Sequence, residues 1–515
     1  MKTSSALLLG LATAPVALAK RSDSAPVANH ERAGQIRAAF QSAWGKYSAN
    51  AFGHDTWGPV SNTAQDNNDQ WGVTAFDALS TAIIMNDEDI VNQILDYIPS
   101  INFTTTPRKF DGVNLVETTG RYLGALLSSY DLLKGPYSRL AHNASNVDAL
   151  LKQAETLGSS LAFAFQTASG VPQPNLMLNP TPQYGNNRFG VINLNEAGGL
   201  ILEWTRLADL TGNKTYADLA AACEKHLLYP EGVYQAYPGM VGNQLSVGDG
   251  HFQRPYGGWG VNSDVYYEYL IKMYMYDPAT FAYNKERWVA AANSTITHLA
   301  SHPKVRPDLT FLAGVIAGGG QVSETSDHLA AFAGGSFILG GLLLKEQAYV
   351  DFGLQLAESY FQVYNQTASG IAPEHWNWVA GDFTQYDRPP PEQEAFYNRT
   401  GFWDTDSHYP LRPEVIESLY YAYRATGDVK YQDHAWQAWE SINKACGING
   451  GFSGIKNVSV ADGGDKDDIQ QGFFLGETLK YLYLINADDQ DVQLKQDGGD
   501  YVLNTKAHPL KIREQ

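Results

Sequence analysis

Apolar residues recur at three- and four-residue steps in segment after segment of this chain. The segments lie around 34–48, 73–86, 116–133, 148–165, 195–210, 215–228, 264–276, 280–300, 328–344, 348–364, 413–425, 429–443 and 472–485, with a shorter one near 88–97. That spacing puts the apolar side chains on one face of a helix and predicts about fourteen helices. Period-two alternation is confined to short pieces, among them Tyr501 to Asn504. One helical hairpin is visibly repeated. Thr211-Gly212-Asn213-Lys214-Thr215-Tyr216-Ala217-Asp218-Leu219-Ala220 aligns position for position with Thr426-Gly427-Asp428-Val429-Lys430-Tyr431-Gln432-Asp433-His434-Ala435, and Tyr349-Val350-Asp351-Phe352-Gly353 is a weaker echo. In each, a helix ends, a short turn follows and the next helix opens on Tyr-x-Asp; Gly212 and Gly427 suit left-handed C-caps. Recurring helical hairpins build either an open α-solenoid or a closed α/α barrel. Solenoids keep a tight period. Here the spacing is irregular and long loops (170–193, 229–262, 368–411) intervene, which favours the barrel. Arg388-Pro389-Pro390-Pro391 and Gly318-Gly319-Gly320 are short enough to be loops, so residues 34–515 are expected to form a single domain.

The 515 residues are 44 % apolar with 30 Tyr and 11 Trp, which is enough to fill a large aromatic-rich core and excludes disorder. A net charge of −19 argues against nucleic acid or an anionic membrane as partner, since both need clustered Lys and Arg. A neutral ligand such as carbohydrate fits better. Lys2, the apolar run Ala6 to Leu11 and the small-x-small Ala17-Leu18-Ala19 read as an export signal over 1–19. Residues 20–33, opening on the dibasic Lys20-Arg21, read as a short pro-segment or linker. No later stretch approaches the roughly 18–20 apolar residues of a membrane span, and Lys511 to Gln515 carry no retention or anchor signal. A secreted monomer is expected. Asn-x-Ser/Thr sequons at Asn102, Asn143, Asn213, Asn293, Asn365, Asn398 and Asn457 fit that compartment. Cys223 and Cys446 allow one disulfide or two free buried thiols, and both readings stay open.

No HExxH, CxxC pair, GxxxxGK[ST] or GxSxG occurs, so zinc-peptidase, P-loop and α/β-hydrolase chemistry lack their anchors. What remains are acids inside apolar helices. In Leu411-Arg412-Pro413-Glu414-Val415-Ile416-Glu417-Ser418, Pro413 suits the first helical position, and Glu414 and Glu417 share one face of the first turn. Glu117 sits in Val116-Glu117-Thr118-Thr119-Gly120-Arg121, with Arg121 one turn on in a helix apolar on nearly every face. Asp264 opens Asp264-Val265-Tyr266-Tyr267-Glu268, and its ordinary role there is an N-cap. Glu203 and Glu477 interrupt further apolar helices. Each acid alone is more often structural than functional. Five such helices in one chain point to a shared polar cavity, because buried carboxylates are costly without one.

The segments VETTGRYLG, LEWTRLADLTG, SDVYYEYLIKMY, DHLAAF, LRPEVIES, FFLGETLKY and NTKAHP together resemble, in order and spacing, the class I α-1,2-mannosidases, glycoside hydrolase family 47, and are most similar to secreted fungal members. The resemblance runs from about residue 34 to 510. It implies an all-α (α/α)7 barrel plugged by a C-terminal β-hairpin, inverting removal of α-1,2-linked mannose from N-glycans, and dependence on calcium. Carried over motif by motif, Glu117 is the general acid, Glu414 the base that activates water, and Asp264 a third acid. An inverting pair stands roughly 6.5–9.5 Å apart. Arg121, Glu203, His328, Arg412, Glu417, Phe473 and Glu477 are expected to line the sugar site, and Thr505 to bind Ca2+ through its hydroxyl and carbonyl oxygens. The partners implied are α-mannose-containing glycans.

The chain departs from the family pattern at several positions. Lys506 follows Thr505 where the family carries glutamate, Thr56 and Gln471 replace acids, and Gly120 replaces a bulky apolar residue. Asn262 stands where strict single-mannose trimmers carry Arg, so no narrow branch preference is expected. Lys506 keeps open a calcium-free, mannose-binding relative without turnover, or a glycosidase of altered linkage specificity. The residues alone also admit another α/α-barrel glycosidase or a helical binding scaffold.

Overall fold

The computed structural model describes residues 25–230, 235–317, 321–381 and 388–513. The export segment 1–19, the Lys20-Arg21 site and the Gly318 to Gly320 loop lie outside the described residues. Fourteen of the described helices build two concentric layers. The inner layer holds α2 (Val73–Ile84), α4 (Gly124–Lys134), α6 (Ile201–Thr211), α8 (Asp264–Tyr276), α10 (Ala333–Leu344), α12 (Glu414–Thr426) and α14 (Leu479–Leu484). The outer layer holds α1 (His30–Ala51), α3 (Glu88–Tyr97), α5 (Ala144–Leu161), α7 (Thr215–Leu228), α9 (Ala282–Ser294), α11 (Gln347–Gln366) and α13 (Val429–Cys446). Each inner helix touches the next, and the turn before α14 packs on α2, which closes the ring as an (α/α)7 barrel. The seventh hairpin pairs the two ends of the chain, α14 against α1. Helix α1 begins at His30, inside the segment expected to be a linker.

Sequence decides which helix goes in which layer. Every residue of α2 is buried, as a helix surrounded by others must be. Helix α1 instead buries one stripe, Ala33, Ile36, Phe40, Ala43, Trp44, Tyr47 and Ala51, at three- and four-residue steps. The pair α10 and α11 packs closest. A Cβ on Gly353 would lie 2.6 Å from the Gly334 carbonyl oxygen, and one on Gly341 2.7 Å from the Val350 amide nitrogen, so the two backbones are in contact.

Four segments read as continuous helices are broken, 280–300 among them by a π turn at Thr295–Leu299. A π turn spans Thr119–Leu123 between the short helix Leu115–Thr118 and α4, and another spans Phe474–Thr478 before α14. Such widened turns offer carbonyls to partners off the helix. The Gly120 carbonyl accepts from Asn504 Nδ2 at 2.9 Å, and that of Gly476 from Thr81 Oγ1 at 3.3 Å. Residues 195–210 form two helices, Leu194–Gly198 and α6, because Gly198 and Gly199 bring the chain against Tyr266 and Val116.

Tyr501–Leu503 pairs antiparallel with Pro509–Lys511, and the turn between them enters the barrel as its plug. Cys223 and Cys446 are both buried and free, on outer helices of separate hairpins, which corrects the disulfide reading. Among the described residues no helix is long and apolar enough to cross a membrane.

A Cβ at Gly340 would stand 2.2 Å from the Trp288 indole. Overpacking of this kind costs about 1–3 kcal/mol. Gly340→Leu is therefore expected to lower the Tm by calorimetry; an unchanged Tm would show that the inner layer yields there.

Candidate active site

A cavity of ≈ 240 Å³ lies inside the barrel, and its wall is dominated by acids: Glu117, Asp264, Glu268, Glu414, Glu417 and Glu477. Four different segments of the inner ring supply them, so the closed ring is what brings them together. Phe473, Phe332 and Leu329 give the cavity an apolar side, and Thr505 and Lys506 contribute from the hairpin turn.

Glu414 is the first residue of α12; Pro413 takes the N-cap, one position earlier than expected. The Glu414 carboxylate is held from both sides. His328 Nδ1 lies 2.9 Å from Oε2, and Arg412 Nη1 3.9 Å from Oε1. Both holders are themselves fixed, His328 Nε2 by the Tyr364 hydroxyl at 2.9 Å and Arg412 by a two-pronged pair with Glu374. Glu417, one turn on, accepts from the Tyr481 hydroxyl at 3.0 Å. Burial pushes its carboxyl up to about 8, and the neighbouring acids Glu268 and Glu414 add to the rise against Lys272.

Asp264 is the first residue of α8, behind Ser263 as N-cap, whose side chain makes no capping bond. Its Oδ1 is buried without a hydrogen-bond partner. Burial and the charge of Asp327 push this carboxyl up to about 8, which favours its protonated form. Glu117 is the opposite case. It is half-exposed to the cavity, with Lys506 Nζ 3.4 Å from Oε1 and Arg121 Nη1 4.0 Å from Oε2. The Lys506 ammonium outweighs burial and, with Arg121, holds Glu117 below the usual carboxylate range. Arg121 is locked by a two-pronged pair with Asp77 and lies 6.0 Å from the Phe473 ring centroid.

The cavity floor is the turn Asn504 to His508. Asn504 Nδ2 donates to the Gly120 carbonyl and, at 2.7 Å, to Glu203 Oε1; its Oδ1 accepts the Lys506 and His508 amides. The Tyr269 hydroxyl bridges the Thr505 amide and Glu203. Beneath, Lys480 Nζ donates to the Ala507 carbonyl at 2.6 Å, and His508 Nδ1 lies 2.8 Å from Ser80 Oγ.

Calcium takes six to eight oxygen ligands and favours anionic ones. Thr505 is at hand, but Glu203 has its Oε1 committed to Asn504 and Tyr269, and burial lifts its carboxyl to about 7. Among the described residues no group of three or more His, Cys, Asp or Glu could hold a metal ion. Next to Thr505 the cavity already contains an ammonium, Lys506, which repels a divalent ion. The residues present do not fit the calcium that the resemblance implies.

Of the residues expected at the sugar site, Arg412, Glu417, Phe473 and Glu477 line the cavity with Glu117, Asp264, Glu414 and Thr505. Arg121, Glu203 and His328 stand behind the wall, where they position Glu117, Asn504 and Glu414. Glu268 was missed although Glu268 and Lys272 form the same i,i+4 pair in an apolar helix that singled out Glu117 and Arg121. Asp77, inside the wholly buried α2, carried a similar signal. Glu374 and Asp327 carried none, since they reach the site from a bend and a short strand rather than from an apolar helix. Thr56 and Gln471 make no contact with the cavity, and nothing in the structure explains them.

Carboxyls raised on folding make stability depend on pH. Unfolded acids titrate near about 4, while Glu203 is raised to about 7 and Asp264 and Glu417 to about 8. Between these limits the folded chain holds protons that the unfolded chain releases, so stability is fullest at low pH and is lost as pH rises through 7 to 8. The Tm is expected to fall from about pH 5 to pH 9, with a shallower slope in Glu417→Gln. A Tm rising over that range would contradict the buried-acid assignment.

Residues 39–512 match the family model described as Glycosyl hydrolase family 47. The chain is 46 % identical over 483 residues to the probable mannosyl-oligosaccharide alpha-1,2-mannosidase 1B of Aspergillus niger, covering 93 % of this chain and 91 % of that protein. It is 44 % identical to the mannosyl-oligosaccharide alpha-1,2-mannosidase of Penicillium citrinum, with 95 % and 93 % covered. The solved alpha-1,2-mannosidase from Trichoderma reesei superposes with a TM-score of 0.92 at 51 % identity, over 94 % of this chain and all of that one. With the closed ring, the hairpin plug and the acid-lined cavity, these likenesses establish that the chain belongs to glycosyl hydrolase family 47.

Proposed function

We propose that this chain is a secreted, exo-acting, inverting α-mannosidase that removes α-1,2-linked mannose from high-mannose N-glycans or mannoproteins. The observation that carries the reading is a cavity closed at its floor by the hairpin turn, with a braced carboxylate, Glu414, and a protonated one, Asp264, on its wall. A closed floor admits the end of a glycan chain rather than its middle. The names of the relatives support the linkage. Exposed sequons at Asn102, Asn143, Asn213, Asn293, Asn365 and Asn398 support passage through the secretory pathway.

In this mechanism Glu414 takes a proton from water as that water attacks the anomeric carbon. The glycosidic C–O bond breaks on the opposite face, and the departing oxygen needs a proton. The resemblance points to Glu117 as the donor. Lys506 instead favours the charged form of Glu117, whereas Asp264 arrives already protonated, so we assign the donor to Asp264. His328 and Arg412 aim Glu414. A binding-only relative has Lys506 in its favour; all three acids on the cavity wall speak for turnover.

Proton NMR of α-1,2-mannobiose hydrolysis is expected to show β-mannose as the first product from the non-reducing end, and α-mannose would overturn inversion. Glu414→Gln should lose about 10²–10⁴ in kcat/KM on both mannobiose and α-mannosyl fluoride. Asp264→Asn should lose as much on mannobiose but recover on the fluoride, whose leaving group needs no proton. Recovery in Glu117→Gln instead would return the acid role to Glu117.

A further inference from the structure

Lys506 occupies a place prepared for it. Its amide is tied to Asn504 Oδ1 at 2.9 Å, which fixes where the side chain leaves the turn. The stem then runs across the face of Gly120. A Cβ at position 120 would lie 3.2 Å from Lys506 Cγ and 3.7 Å from Cε, so even alanine crowds the stem and a larger side chain takes its path. The Gly120 carbonyl meanwhile anchors Asn504, which ties the two positions together a second time. The ammonium ends 3.4 Å from Glu117 Oε1, on a cavity wall that also carries Glu477 and Thr505. One of its three donors faces Glu117; the others are open to a sugar hydroxyl or to water.

Building on the mannosidase reading, we propose that Lys506 is the resident cation of this subsite, a built-in ammonium that stands in for a divalent ion, and that Gly120 is the paired change that gives it room. The site then has its positive charge from the moment it folds. It neither needs nor admits calcium.

The experiment compares the full-length protein in EGTA and in 1 mM CaCl₂ (about a thousandfold above a micromolar site), by mannobiose hydrolysis, calorimetric calcium titration and thermal unfolding. Wild type is expected to hydrolyse at equal rates within twofold, to give no calcium heat and to show no calcium-dependent Tm. Lys506→Glu with Gly120→Leu should gain calcium heat and a calcium-dependent rise in Tm. Gly120→Leu alone should lower Tm more than it does in a Lys506→Ala background, because alanine removes the Cγ and Cε that stand 3.2 and 3.7 Å from position 120. The proposal is overturned by a tenfold chelator-induced loss that calcium restores, by micromolar calcium binding to wild type, or by equal Gly120→Leu costs in both backgrounds. Should no condition release mannose, the functional reading fails on its own, and the titration and the Tm cycle still decide the cation.

Discussion

The side chain of Asn504 is the contact on which the cavity depends. One amide group satisfies the Gly120 carbonyl, Glu203 and the backbone amides of Lys506 and His508, all of them inside the barrel. An unsatisfied buried polar group costs roughly 1–3 kcal/mol, so these bonds are worth most as a set. They convert an open ring of helices into a vessel with a floor. The π turn at Thr119–Leu123 belongs to the same arrangement, because its geometry turns the Gly120 carbonyl toward the plug.

The acids of the cavity are chemically similar and electrostatically different. Glu117 faces a cation and stays charged; Asp264, with an unpartnered oxygen and Asp327 nearby, keeps its proton; Glu414 is braced by an imidazole and a guanidinium. Division of labour in the site therefore comes from the neighbours of each acid. Asp77, Glu374 and Tyr364 fix the residues that fix the carboxylates.

Much of this was legible in the residues. Periodicity located all fourteen barrel helices, since burial on a helix imposes a spacing that survives into sequence. It could not show the π turns or the break at Gly198 and Gly199, which arise from contacts with Asn504, Tyr266 and Val116 far along the chain. Acids in apolar helices marked Glu117, Asp264, Glu203, Glu417 and Glu477 correctly as buried or cavity-facing. Whether each meets the sugar or supports a neighbour was not legible, as Glu203 and His328 illustrate. Lys506 and Gly120 each stood out as a departure, but their relation is the approach of the Lys506 stem to a bare backbone nearly four hundred positions away.

The placement of the hairpin has a consequence for the order of events during synthesis. All the cavity acids leave the ribosome before residues 501–511 do, and α1, made first of the helices, waits for α14 to complete its hairpin. A nascent chain thus carries Glu117, Asp264 and Glu414 without the floor that groups them around a substrate. Catalytic competence arrives late and all at once, when the plug docks, so an incompletely folded molecule presents acids but no enzyme.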